Sequence, residues 1–249
     1  MKHSALFLAA AFTLLAPAAL RADALADLRA KLAALKPAGA FAARIEIRST
    51  GTNDDEGTAS RDEKSASIDA LQDAAGVHLI WSAAQIEMAR KENAEQARHP
   101  DAPKSGGMAE LSAMHAAALL DAAPGLLLQL EGATLVDSHP ENYQGKPATL
   151  ITLTPRNSLS EKDKKRVKKY EATLKIWVDG QGWPLALESK VHIKASMFLI
   201  SFTADNSATE SFAHSADRLY VTVKSEDSSG SGLGQHGGSH ATTKVTPQG

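Results

Sequence analysis

The sequence predicts an α+β protein, a mainly antiparallel β-sheet with helices covering one face. Three observations carry that reading. Ala172, Leu174, Ile176 and Val178 alternate with polar or aromatic neighbours, and after Asp179-Gly180-Gln181-Gly182 the residues Leu185, Leu187, Val191 and Ile193 resume the same period of two. Residues 170–193 therefore read as a β-hairpin with one apolar face. Short alternating runs of the same kind recur along the chain between Gly, Pro and Asp turns. Helical spacing is confined to a few segments, which are the elements available to cover an apolar sheet face.

Leu25, Leu28, Leu32 and Leu35 recur at helical spacing until Pro37 and Gly39 end the pattern, giving an amphipathic first helix. Phe41, Ala43, Ile45 and Ile47 then alternate with Ala42, Arg44, Glu46 and Arg48, a switch to strand period. Residues 50–64, with Gly51, Gly57 and Asp54-Asp55-Glu56, have the composition of an exposed loop, and the acidic triplet lacks the alternating oxygen ligands of a calcium loop. Residues 66–71 and 77–81 read as two strands, with Val77, Leu79 and Trp81 on one side. Ser82 is placed to cap a charged helix that His99-Pro100 stops. A second helix is expected over residues 108–122 with Leu111, Met114, Ala118 and Leu119 along its apolar stripe, and residues 126–130 continue as a stub beyond Pro124-Gly125. An apolar helix on the sheet and a charged one outside it suit a lid; simple core packing explains them equally well.

Residues 133–139 and 147–154 form two more strands about Tyr143-Gln144-Gly145-Lys146. Ser158 and Glu161 match a capping box ahead of a basic segment. Phe198, Ile200 and Phe202 form the next strand, residues 210–214 a weaker one, and Leu219, Val221 and Val223 another, with Arg218, Tyr220, Thr222 and Lys224 facing out. Residues 227–249 are Gly/Ser-rich and read as a tail of low order, with residues 242–245 either a last short strand or part of it.

Met1-Lys2-His3, an Ala/Leu-rich run and the small residues Ala22-Asp23-Ala24 read as a signal peptide over residues 1–24, directing the chain to the periplasm or outside the cell. The uncharged run is shorter than the roughly 20 residues that span a bilayer, and Pro17 breaks it. No cysteine is present, which excludes disulfides, thiolate metal sites and a lipid-modified N-terminal cysteine. The expected organisation is one soluble domain over residues 25–226. A formal net charge of −2 does not predict a nucleic-acid binder.

Gly232-Leu233-Gly234-Gln235-His236-Gly237 matches the dinucleotide fingerprint by letters, but no helix opens after it to receive a pyrophosphate, so no cofactor is expected. His236 and His240 are separated by Gly237-Gly238, a poor frame for a helical metal site, and no metal site is assigned. His115 beside Met114 reads as a packed helix residue. No GxSxG elbow is present, and no catalytic residue is assigned. A hydrolase with a site invisible in the sequence is the second reading, which a Ser or Asp within reach of a histidine in a cleft would favour.

Two stretches carry a resemblance. Tyr143-Gln144-Gly145-Lys146-Pro147-Ala148 stands before Leu150-Ile151-Thr152-Leu153-Thr154-Pro155, and Leu174-Lys175-Ile176-Trp177-Val178-Asp179 is followed by Trp183-Pro184-Leu185. With the element order, this resembles the periplasmic lipoprotein-carrier family, of lipoprotein localisation factor type. The resemblance implies a curved antiparallel half-barrel closed by helices around an apolar cavity. It also implies a non-catalytic protein that shelters a lipid or acyl chain or senses a lipidated partner. On that footing Ile45, Leu79, Trp81 and Ile151, with Leu174, Ile176, Leu185 and Leu187, are the expected cavity lining. A close-packed core in an envelope structural or interaction protein is the alternative. Finally, Lys162, Lys164, Lys165, Arg166, Lys168 and Lys169 place six cations within eight positions. Such a run is expected to be exposed, either as a solvated segment or as a docking surface for an anionic membrane or acidic partner.

Overall fold

The computed structural model describes residues 18–55, 58–99, 111–157, 159–197, 200–232 and 235–248. In chain order they form α1 (Ala18–Ala34), β1 (Phe41–Asp55), β2 (Thr58–Asp73), β3 (Gly76–Ile80), α2 (Ala83–Arg98), α3 (Ala113–Leu120) and α4 (Ala123–Leu130). There follow β4 (Thr134–Tyr143), β5 (Lys146–Thr154), α5 (Glu161–Lys164), β6 (Val167–Val178), β7 (Pro184–Met197), β8 (Ile200–His214), β9 (Leu219–Gly232) and β10 (Gln235–Gln248). The strands make one curved antiparallel sheet of ten, ordered β3-β2-β1-β10-β9-β8-β7-β6-β5-β4 and not closed into a barrel, as the α+β reading expects.

Turn chemistry fixes the hairpins. Gln144 and Gly145 both have positive φ, 50° and 79°, the conformation that matches a two-residue turn to strand twist. At the next hairpin the Asp179 carboxylate accepts the backbone N–H groups of Gln181 and Trp183, each at 2.8 Å.

The core lies on one face, hereafter the inner face. Ala43, Ile45 and Ile47 of β1 stand opposite Ala70, Ile68 and Ala66 of β2, and Ile45 also faces Val245 of β10. Leu119 and Leu120 of α3 pack over these strands, and the same cluster takes in Leu25, Leu28 and Leu32 of α1, which lies against α4 and β4, with Leu126 and Leu130 of α4. Each such side chain contributes on the order of 1.5–3 kcal/mol on leaving water. The buried stripe of α1 begins at Leu25; residues 1–17, most of the expected signal, lie outside the described residues. α2 buries no residue, in keeping with a charged outer helix, and its start is closed by the capping box of Ser82 with Gln85.

Several expectations are corrected. Residues 50–55 and 58–64 are not a loop: they complete β1 and begin β2, paired from Thr50↔Glu63 to Asp55↔Thr58, with residues 56–57 outside the described residues. Polar composition misled because both faces of that hairpin meet water. Residues 227–232 and 235–248 are not a tail, since β9 and β10 carry them and β10 sits between β1 and β9 in mid-sheet. Ser and Gly suit these strands where small side chains meet close backbones; a Cβ on Gly238 would lie 3.0 Å from the carbonyl of Ser228.

The second helix starts at Ala113, because the Ser112 hydroxyl accepts the His115 N–H; residues 108–110 lie outside the described residues. Its buried residues are Ala116, Leu119 and Leu120, while Met114 is 85% exposed, a rotated stripe. The interruption expected at Pro124-Gly125 falls at Asp121-Ala122, where α3 and α4 meet at 87°, and Pro124 lies within the first turn of α4, where its missing N–H costs nothing. The cap of α5 is Ser160; Ser158 lies outside the described residues.

Two bulges reverse expected faces. The register shifts so that Val178 pairs with Pro184 and Trp177 with Ala186, leaving Leu185 as the extra residue, half-buried. Another shift, with Ser211 opposite Val223 and Phe212 opposite Val221, makes Thr222 extra, so Val223 turns to solvent and Lys224 inward. Arg218 is also buried, 2% exposed: it donates to the Gly39 carbonyl at 2.6 Å and lies over the Phe41 ring. Beside it, the backbone N–H of Ala38, the Ser215 hydroxyl, the N–H of Gly39 and the Arg218 charge hold Asp217 down at about 2.

Candidate functional site

The described helices do not cover the inner face along its whole length. Beyond the helices, between α4 and the β6–β7 pair, lies a pocket of about 410 Å³ whose lining includes Leu128, Pro155, Tyr170, Leu174 and Val191. Leu128 stands at its rim, 70% exposed, an apolar side chain presented to water above an apolar wall. Ser189 and Val191 also line a second depression of about 330 Å³ that runs on over β8–β10 past Asn206, Ala208, Ser228 and Ser239.

The strand register continues the apolar wall beyond the pocket. Leu174 stands opposite Ser189, Ala172 opposite Val191, Tyr170 opposite Ile193, and Val167 opposite Ala195, which in turn faces Phe202 of β8. Ala172, Tyr170, Ile193 and Val167 are half-buried and Phe202 is 36% exposed. A trough of small and apolar side chains therefore runs from α4 to the end of the sheet. Lys168 is a bulge residue, so this stretch matches the six steps from Ser189 to Ala195 and spans about 20 Å at about 3.3 Å per residue.

Of the eight residues expected to line a cavity, Ile45, Ile151, Leu174, Ile176 and Leu187 are buried in the core. Leu79 and Trp81 pack partly buried against it, and Leu185 is the half-buried bulge residue. Leu174 alone of the eight is on the wall of the pocket under α4. The residues that sequence reasoning missed, Leu128, Tyr170 and Val191, had readable signals. Leu126-Leu127-Leu128 cannot all face one side of a helix, and Tyr170 and Val191 share the parity of Leu174 across the hairpin.

Where α3 meets the sheet, the inner face turns polar. Lys224 reaches Glu226 at 2.9 Å and Glu210 at 3.4 Å. Burial disfavours its charge, but hydrogen bonds and attraction from these two carboxylates outweigh that and raise its pKa above the ordinary lysine value. His115 of α3 is held below the ordinary histidine range, chiefly by burial and then by the Lys224 charge, with Glu226 opposing.

The outer face carries a larger depression, about 520 Å³, lined among others by Glu171, Lys190, His192, Asp205 and Asp227. His192 Nδ1 lies 2.6 Å from Asp205 and His240 Nδ1 2.7 Å from Asp227. These are histidine–carboxylate pairs on open strands: the first lies in the depression, the arrangement the hydrolase reading asks for, and the second has the Thr242 hydroxyl 3.1 Å from His240 Nε2, a contact between residues two apart on β10 at an exposed histidine. Among the described residues no three His, Asp or Glu side chains gather as a metal-ligating group. The dinucleotide-like Gly run falls in the β9–β10 hairpin, with residues 233–234 outside the described residues.

The basic run begins on α5 and ends in β6, and all six of its cations are exposed. Lys164 pairs with Glu161 at 2.6 Å and Lys169 with Glu171 at 2.9 Å. Among the described residues Lys162, Lys165, Arg166 and Lys168 have no ionic partner.

No protein-family model matches the sequence, and no curated protein matches it. A domain described as an outer-membrane lipoprotein-sorting protein from Vibrio parahaemolyticus is structurally similar over 90% of this chain and 91% of its own, at 12% identity and a TM-score of 0.33. A DUF1329 family protein from Desulfovibrio piger is similar over 91% of each chain, at 11% identity and a TM-score of 0.33. MucB, solved in complex with MucA(peri), is similar over 92% of this chain and 94% of its own, at 10% identity and a TM-score of 0.20. The lipoprotein-sorting likeness read from the sequence thus recurs as a remote structural one. At such distances it carries no functional argument, because one fold hosts many functions.

Proposed function

We propose that this chain is an exported, non-catalytic binding protein of the cell envelope that shelters one acyl chain, free or on a lipidated partner, in the trough beneath α4. The observation that carries the reading is the open pocket of about 410 Å³ walled by Leu174, Tyr170 and Val191 under the exposed Leu128. Its volume falls within the range of about 300–1,000 Å³ usual for small-ligand sites. The depression on the outer face is larger but lined by charges that an acyl chain would leave unsolvated. Export rests on the signal-like residues 1–24, with the mature chain starting at Leu25.

Each methylene leaving water is worth roughly 0.8 kcal/mol, and association costs about 4–15 kcal/mol. A short chain therefore cannot reach micromolar affinity, whereas one that fills the trough can. The test is displacement of a fluorescent fatty acid by fatty acids of increasing length, with native mass spectrometry of gently purified protein for a co-purifying lipid. Affinity should rise with length up to the trough's end and fall at least tenfold in Leu128→Asp, whose exposed site leaves folding intact. No binding by the wild type at any length, or equal binding by Leu128→Asp, would remove the acyl reading.

A further inference from the structure

The trough and the basic run end at the same place. The carbonyl of Arg166 accepts the N–H of Ser196, and Val167 stands opposite Ala195, so α5 and the start of β6 border the β7–β8 end of the sheet. There the two faces differ. Tyr170 and Ile193 pair on the inner face and Phe202 stands exposed beside them, while Lys169 and Lys194 stand directly opposite each other one position on, facing the outer side. Both lysines are exposed, and Lys194 adds a seventh cation from a strand remote in sequence.

Like charges directly across a ladder destabilise the sheet. Glu161, Asp163 and Glu171 offset only part of the charge, and the two exposed ion pairs they supply are weak attachments. The acidic Asp54 at the β1–β2 end does not cancel it either. β1 is five strands from β6 in the sheet order. At about 4.8 Å per strand this is about 24 Å, some three Debye lengths at physiological salt. A surface with cations on one side and an apolar strip on the other complements a layer of anionic head groups over acyl chains better than it does an acidic protein, which offers no apolar counterpart to the strip.

We infer that this end of the sheet, Lys162 to Lys169 with Lys194 and Phe202, docks on anionic phospholipid bilayers and turns the mouth of the trough toward the membrane. The inference rests on the acyl-binding reading only for the use made of that mouth; docking has its own readout.

The experiment is co-sedimentation of the mature chain with phosphatidylcholine vesicles made with and without phosphatidylglycerol. Lys162, Lys165, Arg166 and Lys168 are replaced together by Gln, and a control of equal charge change carries Lys36, Lys91, Lys146 and Lys244→Gln, all exposed elsewhere. Each cation near an anionic surface is worth roughly a fivefold change in affinity. The first variant should therefore bind phosphatidylglycerol vesicles at least a hundredfold more weakly while the control binds within a few-fold of wild type. Wild-type binding should weaken as ionic strength is raised and the Debye length falls from about 30 Å to about 8 Å. Equal binding to pure phosphatidylcholine, equal loss in the control, or tighter binding to soluble polyglutamate than to vesicles would overturn the inference, the last in favour of an acidic protein partner. Fatty-acid displacement in solution is measured on the same proteins. A chain that takes fatty acid but ignores the vesicles refutes docking alone, and one that docks but takes no fatty acid refutes the acyl reading alone.

Discussion

Val245 of β10 tests whether the Gly/Ser-rich end belongs to the sheet. It is 3% exposed, stands opposite Ile45 of β1 and belongs to the core cluster. Its neighbour Thr246 points to the outer face opposite Arg44 and is exposed. Replacing Val245 with Asp forfeits about 2 kcal/mol of apolar burial. It also strands a carboxylate between strands, which costs at least a further 2 kcal/mol or so even when the group protonates to escape the charge penalty. A loss of about 4 kcal/mol or more is a large share of the roughly 5–15 kcal/mol that holds a domain together. Thr246→Asp, on the wet side beside an arginine, should stay within about 0.5 kcal/mol of wild type. Urea denaturation followed by circular dichroism compares the two directly, since m should change little and the midpoint should shift only for Val245→Asp. Equal midpoints for the two variants would mean that residues 235–248 are not a strand of this sheet.

Two further perturbations probe the buried polar groups. Arg218→Met should cost about 2 kcal/mol in the same assay, the worth of a charged hydrogen bond, here to the Gly39 carbonyl; it should cost no more, because Asp217 keeps the N–H groups of Ala38 and Gly39, and unchanged stability would refute the role given to Arg218. His115, held below its ordinary range by burial and by Lys224 against the pull of Glu226, resists in the folded state a proton that the unfolded chain accepts below about pH 6.5. Stability should therefore fall as pH drops below about 6.5 until the lowered folded value is passed. The slope should flatten in His115→Gln; a wild-type profile that rises on acidification would contradict the sign.

Period-two runs in the sequence marked every strand whose inner face is Leu, Ile or Val, because there burial writes the alternation directly. They failed on two kinds of element. Residues 50–55, 58–64, 227–232 and 235–241 lie in long strands whose residues there are polar or small, so neither face leaves an apolar trace, and their pairing is imposed by the neighbouring strands. Bulges were equally silent. Alternation read through Thr222 and Leu185 assumes a constant phase, whereas one extra residue exchanges the faces beyond it, which is why Lys224 is found under α3 and Leu185 outside the core. For the candidate site, parity alone marked Leu174, but the pocket depends on how far α4 reaches over the sheet, a tertiary fact with no local sequence signature.

That reach also argues for a binding surface over a merely filled core. α3 and α4 have eight residues each, about 12 Å at 1.5 Å per residue. β7 has 14, about 46 Å at 3.3 Å per residue. Helices of that length cannot roof strands of that length, so among the described residues part of the inner face is left without a helix above it. On β8–β10 the chain adapts as a solvated face should, with Ser228, Ser239, Asn206 and Gly237 in inner-face positions. On β6 and β7 it does not: Tyr170, Ala172, Val191 and Ile193 stay apolar past the end of α4, and Phe202 extends the strip onto β8. Exposure of that strip costs solubility and contributes nothing to a core that ends at Leu174. Its persistence on these strands alone, between the exposed Leu128 and the cations of α5, has a physical reason if an apolar ligand covers it.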